Sequence, residues 1–425
     1  MKYIKENLAE FEMCNILRWH QLGYTGKNIK FAEIEGANPN SWIFEGRLKD
    51  PFNRCSITSD YNSHGRKVFD CFIQVAPNAD IYSLPSGGRY SNNSASGDFI
   101  EKTIPYAINN NINIIGASLG GTNNKILNNK ILEAQNKGVV FTTSASNDGN
   151  DTDKNTLGGY ARSDMWISVA ALGLRNDIID IDNIFLKNYS SRGEQLDISM
   201  FSGLYVHDCR PGHENKIILV EGTSFSQPMI AGMLALVQQY FLEKIGRTLY
   251  QDEIMLFMQD HAVDLGTPGH NDLYGHGLFV LPEPSTIIID KYIIHKNTEI
   301  DMWIDNHIFQ INKISKVSDV APQIIDDRTF VPIRWISENL GFEVGWDSTE
   351  YKVTIKASDT EVILFAPKNG VNRNDYYING VKQYMDTYPR IIQDRTLVPI
   401  RFVAEALGCD IFWYNNERKV KIIKW

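Results

Sequence analysis

ILVEGTSFSQP, at residues 218–228, joins an apolar run typical of a β-strand to a helical pattern through a Gly-Thr-Ser turn. The helix is predicted because apolar residues recur at the spacing of one helix face between residues 229 and 240. Pro228 is expected in the first helical turn, where its missing N–H costs nothing. Ser224 is therefore predicted at a strand-to-helix turn, near the positive end of a helix dipole. This setting suits a nucleophilic hydroxyl, but it also suits a serine that only caps the helix.

The composition is that of an ordinary globular protein. A length of 425 residues predicts two or three domains, and contents of 43% hydrophobic and 22% charged residues are typical of folded chains. The net charge of −9 argues against nucleic acid or an anionic membrane as the main partner. No apolar run approaches the roughly 20 residues of a membrane span, and the N-terminus lacks the apolar core of a signal peptide. We therefore expect a cytoplasmic protein as encoded, with later release or surface association left open.

The five cysteines are odd in number and show no Cys-x-x-Cys spacing. This pattern argues against a disulfide framework and favours reduced, packed thiols.

The N-terminal part of the chain, residues 1–285, alternates strand and helix patterns as in a parallel α/β sheet. Strands are predicted at 29–35, 79–84, 112–119, 139–143, 166–172 and 216–220. Helices are predicted at 66–74, 98–109, 124–136 and 252–261, in addition to the helix after Ser224. The Pro-rich stretch 281–285 is interpreted as a linker.

A sequence repeat follows this linker. DRTFVPIR at 327–334 returns as DRTLVPIR at 394–401, so that Arg328 is matched by Arg395, 67 residues later. The repeat predicts a smaller α+β domain at 286–425, built from two units at about 298–356 and 360–425. Its recurring Arg and Trp positions are candidates for binding a partner, with structural pairing and core packing as the alternative.

A catalytic serine needs a base to take its proton, and a third group to orient that base. Of the nine histidines, only His64 opens a helix after a loop, in NSHGRKV at 62–68. His20, His261 and His276 are interpreted as packing or surface residues. Ser224 and His64 are therefore the candidate nucleophile and base.

Together, these motifs resemble those of the subtilisin-like serine peptidases. GTSFSQPMIAG at 222–232 is similar to the family's nucleophile motif, and HGRKV at 64–68, followed by APNA at 76–79, is similar to its histidine motif. SLGG at 118–121 and SASNDG at 144–149 match two further landmarks, and 166–172 and 189–193 match later ones. The resemblance implies a doubly wound, mostly parallel α/β sheet and an endopeptidase that acts on protein or peptide substrates.

The resemblance also implies the role of each catalytic residue. Ser224 would attack the scissile carbonyl, while His64 would act as general base and then as general acid. The side-chain amide of Asn147 and the Ser224 N–H would stabilise the oxyanion.

Substrate-binding roles follow in the same way. Ser118, Leu119 and Gly120 would pair with an extended peptide as an added strand. Asp148 would line the first specificity pocket with Gly158 and mildly favour basic residues, with a solvated loop acid as the alternative interpretation.

The chain departs from the family pattern at the third triad position. An Asp is expected at the end of the first strand, but the aligned residue is Glu35. Glutamate keeps the charge and adds one methylene, so the strand end or the rotamer must adjust. Glu33 is predicted on the same face of the strand, two residues before its end, and is the weaker candidate for the orienting carboxylate.

Other departures are Asp70, Gln227 and Met229, for which the sequence offers no physical account. Only about 30 residues precede the first strand. The chain therefore resembles intracellular or mobile-element-encoded (bacterial or phage-like) members that lack an inhibitory prodomain. A catalytically weak or inactive relative, acting as a peptide-binding or attachment protein, is the alternative.

Residues 290–425 resemble the copper amine oxidase N-terminal-like domain. The resemblance lies in the repeated motif, DRTFVPIR and DRTLVPIR, and in the Trp that follows each copy. No His lies beyond His307, so no copper site is expected. The resemblance implies an attachment or spacer role, with the cell wall or another protein as partner. No cofactor is expected. Structural calcium is common in subtilisin-like enzymes, but no loop here has a carboxylate spacing that would assign it.

Overall fold

A computed structural model of the chain describes residues 3–34, 42–44, 46–52, 64–85, 97–121, 123–149, 155–175, 180–210, 212–213, 216–294, 298–356 and 360–424. Backbone contacts divide the chain into two units, residues 1–294 and 295–425. The domain boundary predicted after residue 285 stays a prediction.

The N-terminal unit is built on a mostly parallel sheet, as predicted. The strands of this unit are β1 (Lys30–Glu33), β2 (Leu48–Lys49), β3 (Asp80–Ser83), β4 (Ile114–Ala117), β5 (Val140–Ser144), β6 (Ile167–Leu174), β7 (Ile184–Leu186), β8 (Ile198–Phe201), β9 (Leu204–His207), β10 (Ile217–Val220), β11 (Ala262–Val263) and β12 (Leu278–Phe279). Within the described residues, ten of them form one sheet in the order β2-β3-β1-β4-β5-β6-β8-β12-β11, with β7 paired to β6. The pairings are parallel except for β6–β7 and β11–β12.

The order of the strands reverses beside β1, which pairs with β3 on one side and β4 on the other. The chain therefore crosses from one half of the sheet to the other between β3 and β4. Open α/β sheets bind their ligands outside the carboxyl ends of the strands at such a point. The carboxyl ends of β1, β4 and β5 are thus the expected location of a site.

Helices cover both faces of this sheet. They are α1 (Leu8–Met13), α2 (Ile16–Gln21), α3 (His64–Val75), α4 (Ile104–Asn109), α5 (Lys125–Gln135), α6 (Thr223–Ile245) and α7 (Gln251–Asp260). Apolar side chains of α2, α3, α6 and α7 share one core cluster, and those of α4 and α5 share another with the opposite face of the sheet. Residues 225–241 of α6 are all buried, so this helix lies inside the unit and has no solvent face there.

The strand that leads to Ser224 differs from the prediction. Residues 216–220 were expected in the parallel sheet, but β10 pairs antiparallel with β9 in a separate two-stranded sheet, with Val220 opposite Leu204. Leu219 is 51% exposed, as befits a surface hairpin. The reason is non-local, because the partner strand is supplied by residues 204–207 rather than by the sheet.

The start of α6 also differs from the prediction. The helix begins at Thr223, so Pro228 lies in its second turn and Ser224 in its first. A proline at this position cannot donate the helical hydrogen bond to the carbonyl of the residue four positions earlier, which is Ser224.

The stretch predicted as a linker is packed on the N-terminal unit. Asn15 Nδ2 donates to the Leu281 carbonyl at 2.9 Å, and Trp19 Nε1 donates to the Pro282 carbonyl at 2.7 Å. Buried aromatic N–H groups normally need such acceptors. Residues 281–282 are thus fixed to the first two helices.

In residues 298–356 and 360–424, the C-terminal unit consists of antiparallel sheets and two short helices. Its strands are β13 (Thr298–Trp303), β14 (Ile308–Ile311), β15 (Ile314–Val317), β16 (Gln323–Ile325), β17 (Arg328–Pro332), β18 (Glu343–Asp347), β19 (Lys352–Lys356), β20 (Glu361–Phe365), β21 (Asp375–Ile378), β22 (Val381–Tyr384), β23 (Arg390–Ile392), β24 (Arg395–Pro399), β25 (Cys409–Tyr414) and β26 (Lys419–Lys424), and its helices are α8 (Ile333–Asn339) and α9 (Ile400–Ala406). The sheets have the orders β15-β14-β13-β26-β25, β16-β17-β24-β23 and β18-β19-β20-β21-β22.

The two copies of the repeated motif lie on neighbouring strands. β17 pairs antiparallel with β24, with Val331 opposite Val398. Arg328 forms an ion pair with Asp386, and Arg395 forms one with Asp319. The recurring arginines therefore have acidic partners, in agreement with the structural-pairing interpretation of these positions. The two-unit organisation of the domain stays a prediction.

No helix in the described ranges of either unit combines the length and apolar character needed to cross a membrane.

Candidate active site

The turn before Ser224 depends on Gly222. This residue has φ 135° and ψ 152°, a backbone conformation that side chains disfavour and glycine tolerates. Its N–H donates to the hydroxyls of Tyr189 and Ser202, both at 3.0 Å. The chain therefore passes from β10 into α6 without an intervening loop.

Ser224 and Ser118 form a reciprocal pair. The Ser224 hydroxyl donates to the Ser118 carbonyl at 3.1 Å, and the Ser118 hydroxyl lies 2.9 Å from the Ser224 carbonyl. Ser118 directly follows β4, so these contacts join the carboxyl end of the sheet to the first turn of α6. Ser224 is half-buried, and its hydroxyl lies at the N-terminal, positive end of a 23-residue helix.

Asn147 follows β5 and contacts the same helix start. Its Oδ1 accepts from the Thr223 N–H and the Thr223 hydroxyl, both at 3.0 Å. Its Nδ2 lies 3.5 Å from the point that a side-chain carbon on Gly222 would occupy. Because the oxygen is engaged by Thr223 and the residue is exposed, the amide N–H groups can serve an oxygen of a ligand near Ser224.

His64 is the first residue of α3 and is exposed. Its ring lies against Phe225, the neighbour of Ser224, with ring centroids 5.5 Å apart and planes tilted by 49°. α3 packs closely along α6, because Gly232 leaves room for Val75; a side-chain carbon there would lie 2.7 Å from Val75 Cβ. The imidazole is thus brought to the end of α6 that carries Ser224.

Asp70, an unexplained departure at the sequence level, now has a structural account. Its buried carboxylate accepts from the His207 N–H at 2.6 Å and from the His207 Nδ1 at 3.0 Å. Since His207 belongs to β9, these bonds tie α3 to the β9–β10 hairpin that delivers Ser224. The residue therefore fixes the histidine helix relative to the nucleophile turn.

The predicted substrate-binding segment continues from Ser118. Leu119 packs on the core between α4, α5 and the sheet, whereas Gly120 faces open space. A side chain at Gly121 would overlap the Tyr160 ring. The glycine therefore allows the backbone at position 121 to pass close to Tyr160.

Asp148 and Gly158 lie on either side of Ser146. The Ser146 hydroxyl donates to the Asp148 carboxylate at 2.6 Å, and a side-chain carbon on Gly158 would lie 2.7 Å from Ser146 Cβ. Asp148 is exposed to solvent. Both interpretations of Asp148, as a pocket residue and as a solvated acid, stay open on this geometry.

Glu35, the predicted orienting carboxylate, lies outside the described residues. Glu33 is fully buried, and its Oε1 accepts from the Ser118 N–H at 2.7 Å. The structure thus brings Ser224, Ser118 and Asn147 together by direct or shared contacts, with His64 beside Phe225, and leaves the position of Glu35 undescribed.

The sequence alone assigned no role in the site to several polar residues that support it. Gln227 and Thr142 lie beneath Ser118, and Tyr189 and Ser202 hold Gly222. The available signal was a polar residue within an otherwise apolar segment, as with Gln227 in the buried part of α6.

The described residues contain no group of three or more His, Cys, Asp or Glu side chains that could hold a metal ion. The four described cysteines, Cys14, Cys71, Cys209 and Cys409, are buried, and burial raises the pKa of the Cys14 and Cys71 thiols well above the ordinary value. Cys55 lies outside the described ranges.

Comparisons with known proteins agree with this architecture. The chain is 29% identical to subtilisin E of Bacillus subtilis (strain 168) over 234 residues, which cover 51% of this chain and 57% of the relative. It is 28% identical to subtilisin DY of Bacillus licheniformis over 271 residues, covering 60% and 90% of the two chains. It is 27% identical to the minor extracellular protease Epr of Bacillus subtilis (strain 168) over 276 residues, covering 60% and 38%. The chain thus spans little more than half the length of several relatives that it matches.

The fold has a counterpart among solved structures. The crystal structure of a lanthipeptide protease superposes with a TM-score of 0.52 at 19% identity, covering 65% of this chain and 93% of that one.

Family models match both parts of the chain. The copper amine oxidase N-terminal domain matches residues 292–355 and 310–422, and the subtilase family matches residues 57–277. Because the subtilase match spans more than half of the 425 residues, the chain belongs to the subtilase family.

Proposed function

We propose that this chain is a subtilisin-like serine endopeptidase in which Ser224 is the nucleophile, His64 the general base and acid, and Glu35 the orienting carboxylate. The single observation that carries the proposal is the shared environment of Ser224, Asn147 and His64 at the first turn of α6. A nucleophile, an oxyanion donor and a base at one helix start is the constellation that acyl transfer requires.

The proposed reaction begins with an extended peptide on the edge formed by residues 118–120. Ser224 passes its proton to His64 and attacks the scissile carbonyl, so that the Oγ–carbonyl bond forms as the oxyanion develops. The Asn147 amide and the Ser224 N–H stabilise that oxyanion. As the oxyanion collapses, the scissile carbon–nitrogen bond breaks and His64 gives its proton to the leaving amine. Water then passes a proton to His64 and attacks the acyl carbonyl, and the Oγ–carbonyl bond breaks as Ser224 recovers that proton.

The hydrogen bond from the Ser224 hydroxyl to the Ser118 carbonyl fits a resting state of this cycle. In the proposed complex, that carbonyl accepts an N–H of the substrate backbone, and the hydroxyl turns towards His64. On substrate binding, the Ser118 carbonyl therefore exchanges the Ser224 hydroxyl for a substrate N–H as its donor.

Glu35 is the least usual part of the proposed triad. Its extra methylene places the carboxylate differently from an aspartate, and small misplacements reduce rates strongly. We expect Glu35→Asp to raise kcat, while Glu35→Gln lowers it. A silent site would respond to neither substitution.

The direct test is incubation of the purified chain with an unstructured protein, followed by gel electrophoresis. We expect internal cleavage by the native chain and none by Ser224→Ala or His64→Ala. Binding of the unstructured protein without cleavage would contradict the proposal and favour the alternative, a peptide-binding relative without chemistry.

For the C-terminal domain we propose an attachment role. It is supported by a groove of about 760 Å³ lined by Trp335, Trp346 and Tyr351 together with charged side chains. Trp346 is 41% exposed, which is more than core packing alone requires of a tryptophan. A groove lined by aromatic and charged side chains suits a cell-wall glycan or a segment of another protein.

This role is tested by sedimentation of the full chain, as Ser224→Ala, with insoluble cell-wall material. Trp346→Ala is expected to reduce the bound fraction, while Trp413→Ala serves as the control, because Trp413 is 44% exposed and does not line the groove. Equal sedimentation of all three proteins would contradict binding through the groove.

A further inference from the structure

Four polar side chains are buried directly beneath the end of β4. Glu33, Thr142 and Gln227 have no exposed surface, and Ser118 is 3% exposed. Buried polar groups are costly unless they are hydrogen-bonded. The contacts of these four side chains therefore indicate what the buried cluster does.

Glu33 holds the backbone of Ser118. Its Oε1 accepts from the Ser118 N–H at 2.7 Å, the backbone of the residue that opens the predicted substrate edge. β1 and β4 are neighbouring parallel strands, so this bond spans their carboxyl ends. It fixes the peptide plane of Ser118 relative to the sheet.

Pro228 leaves the Ser224 carbonyl without its helical donor. The Ser118 hydroxyl takes that place, at 2.9 Å from the Ser224 carbonyl and 2.7 Å from Gln227 Oε1. Its single proton serves one of these two acceptors at a time. Ser118 is thus joined to α6 through both the nucleophile residue and Gln227.

Gln227 completes the link to β5. Its Nε2 donates to the Thr142 hydroxyl at 2.7 Å. A side-chain carbon on Gly116 would lie 2.1 Å from Glu33 Oε2 and 2.5 Å from Gln227 Nε2. The glycine at position 116 therefore leaves the space that both side chains occupy.

We propose that Glu33 and Gln227 are positioning residues that set the substrate edge at the correct distance from Ser224. The inference rests on the proposed function. Ser118 presents one edge to the peptide backbone, and its remaining polar groups are held by Glu33, Gln227 and the nucleophile helix. A shift of this edge misplaces the scissile carbonyl of an extended peptide, whereas a substrate that does not use the edge is unaffected.

The test compares two substrates, an extended internally quenched peptide and a single-residue ester that does not reach residues 118–120. The amide oxygen of Glu33→Gln still accepts from the Ser118 N–H but is a weaker acceptor than a carboxylate, so we expect kcat/KM on the peptide to fall about 3–30-fold. We expect little change on the ester, so the peptide-to-ester ratio falls. The amide at position 33 would also set its NH₂ against that of Gln227.

Two further variants sharpen this test. Glu33→Gln with Gln227→Glu again provides one carboxylate and one amide, and is expected to recover part of the ratio. Ser118→Ala removes the hydroxyl link without a change of charge and is expected to lower the ratio, so the test does not depend on how well Glu33→Gln folds.

Ser199→Ala is the matched control, because Ser199 is a fully buried hydroxyl that donates to the Tyr274 carbonyl at 2.9 Å, on β8, which β5 and β6 separate from β4 in the sheet. It is expected to leave the ratio unchanged. Equal losses on both substrates in the Glu33 and Ser118 variants, or an unchanged ratio, would overturn the positioning role. A native chain that cleaves neither substrate would instead overturn the proposed function.

Discussion

The oxygen and the nitrogen of the Asn147 side-chain amide have different surroundings. The oxygen accepts twice from Thr223, at 3.0 Å each, and the nitrogen lies 3.5 Å from the point that a side-chain carbon on Gly222 would occupy. The same residue therefore anchors the start of α6 and offers a donor for an oxyanion. A substitution that separates these two tasks shows which of them matters to the reaction.

Asn147→Ala is predicted to lower kcat about 10²–10³-fold with a small change in KM, because one oxyanion donor is lost. Asn147→Asp keeps an acceptor for Thr223 and removes the donor, so it should lose activity while retaining the unfolding free energy of the native chain. Steady-state kinetics and urea unfolding check both. Full activity in Asn147→Asp would contradict the oxyanion role.

Asp148 tests the specificity pocket. Exposed charge pairs contribute at most about 1 kcal/mol, so Asp148→Asn is predicted to reduce the preference for Lys or Arg over Leu at the cleavage point by no more than about fivefold. Peptides that differ only at that residue measure the ratio. An unchanged ratio would favour the interpretation of Asp148 as a solvated loop acid.

At the scale of elements, the series of backbone hydrogen bonds in α6 is interrupted near Ser224. Pro228 withholds a donor from the Ser224 carbonyl, and the Ser118 hydroxyl fills the gap at 2.9 Å. A helix with an intact ladder would have no need of this contact. The proline thus ties the nucleophile helix to the end of β4.

Pro228→Ala is predicted to restore the helical N–H, which then competes with the Ser118 hydroxyl for the Ser224 carbonyl. One hydrogen bond is worth about 1 kcal/mol, so kcat/KM on an extended peptide should fall about fivefold. In a Ser118→Ala background, the same substitution should have no further effect, because the competing partner is already gone. Additive losses in the double variant would contradict the competition.

How far the sequence predicts an element depends on whether its determinants are local. The helix of residues 124–136 is found at Lys125–Gln135, where Asn124 caps it by accepting from the Leu127 N–H at 2.9 Å. The pairing of β10 with β9 was not predictable, since an apolar run does not reveal which strand will pair with it. The position of Pro228 within the helix differs from the prediction because α6 starts at Thr223, directly after Gly222.

The same distinction applies to the site. Ser224, His64 and Asn147 stand in local motifs and were identified as candidates from these motifs. Gln227 was noticed only as a departure from the family pattern, because its partners Glu33 and Thr142 come from distant strands. A buried polar cluster of this kind has no local signature, and only the folded arrangement explains it.

At the scale of the whole molecule, Asp197 links pH to stability. It accepts from the Ser168 N–H at 2.7 Å and from the Ser168 hydroxyl at 2.9 Å, but burial dominates and raises its pKa from 3.8 to about 6. A raised folded-state pKa favours the protonated form. The stability that the protonated Asp197 side chain contributes is therefore fully present below about pH 4, and it is lost as the pH rises to about 6.

Asp197→Asn is neutral at every pH and keeps an acceptor for Ser168. It is predicted to be more stable than the native chain above pH 6, by about 1–3 kcal/mol, and to lack the decline between pH 4 and 6. Urea unfolding at several pH values measures both features. A native chain whose stability rises with pH across this window, unchanged by Asp197→Asn, would contradict the assignment.

The central claim is that Ser224 is an activated nucleophile, and covalent labelling with a fluorophosphonate tests it most directly. Intact-mass and peptide-mapping mass spectrometry of the folded chain should show one adduct, on Ser224, that is absent in Ser224→Ala and forms much more slowly in His64→Ala. No adduct on the folded native chain, or an adduct on another residue that persists in Ser224→Ala, would contradict it.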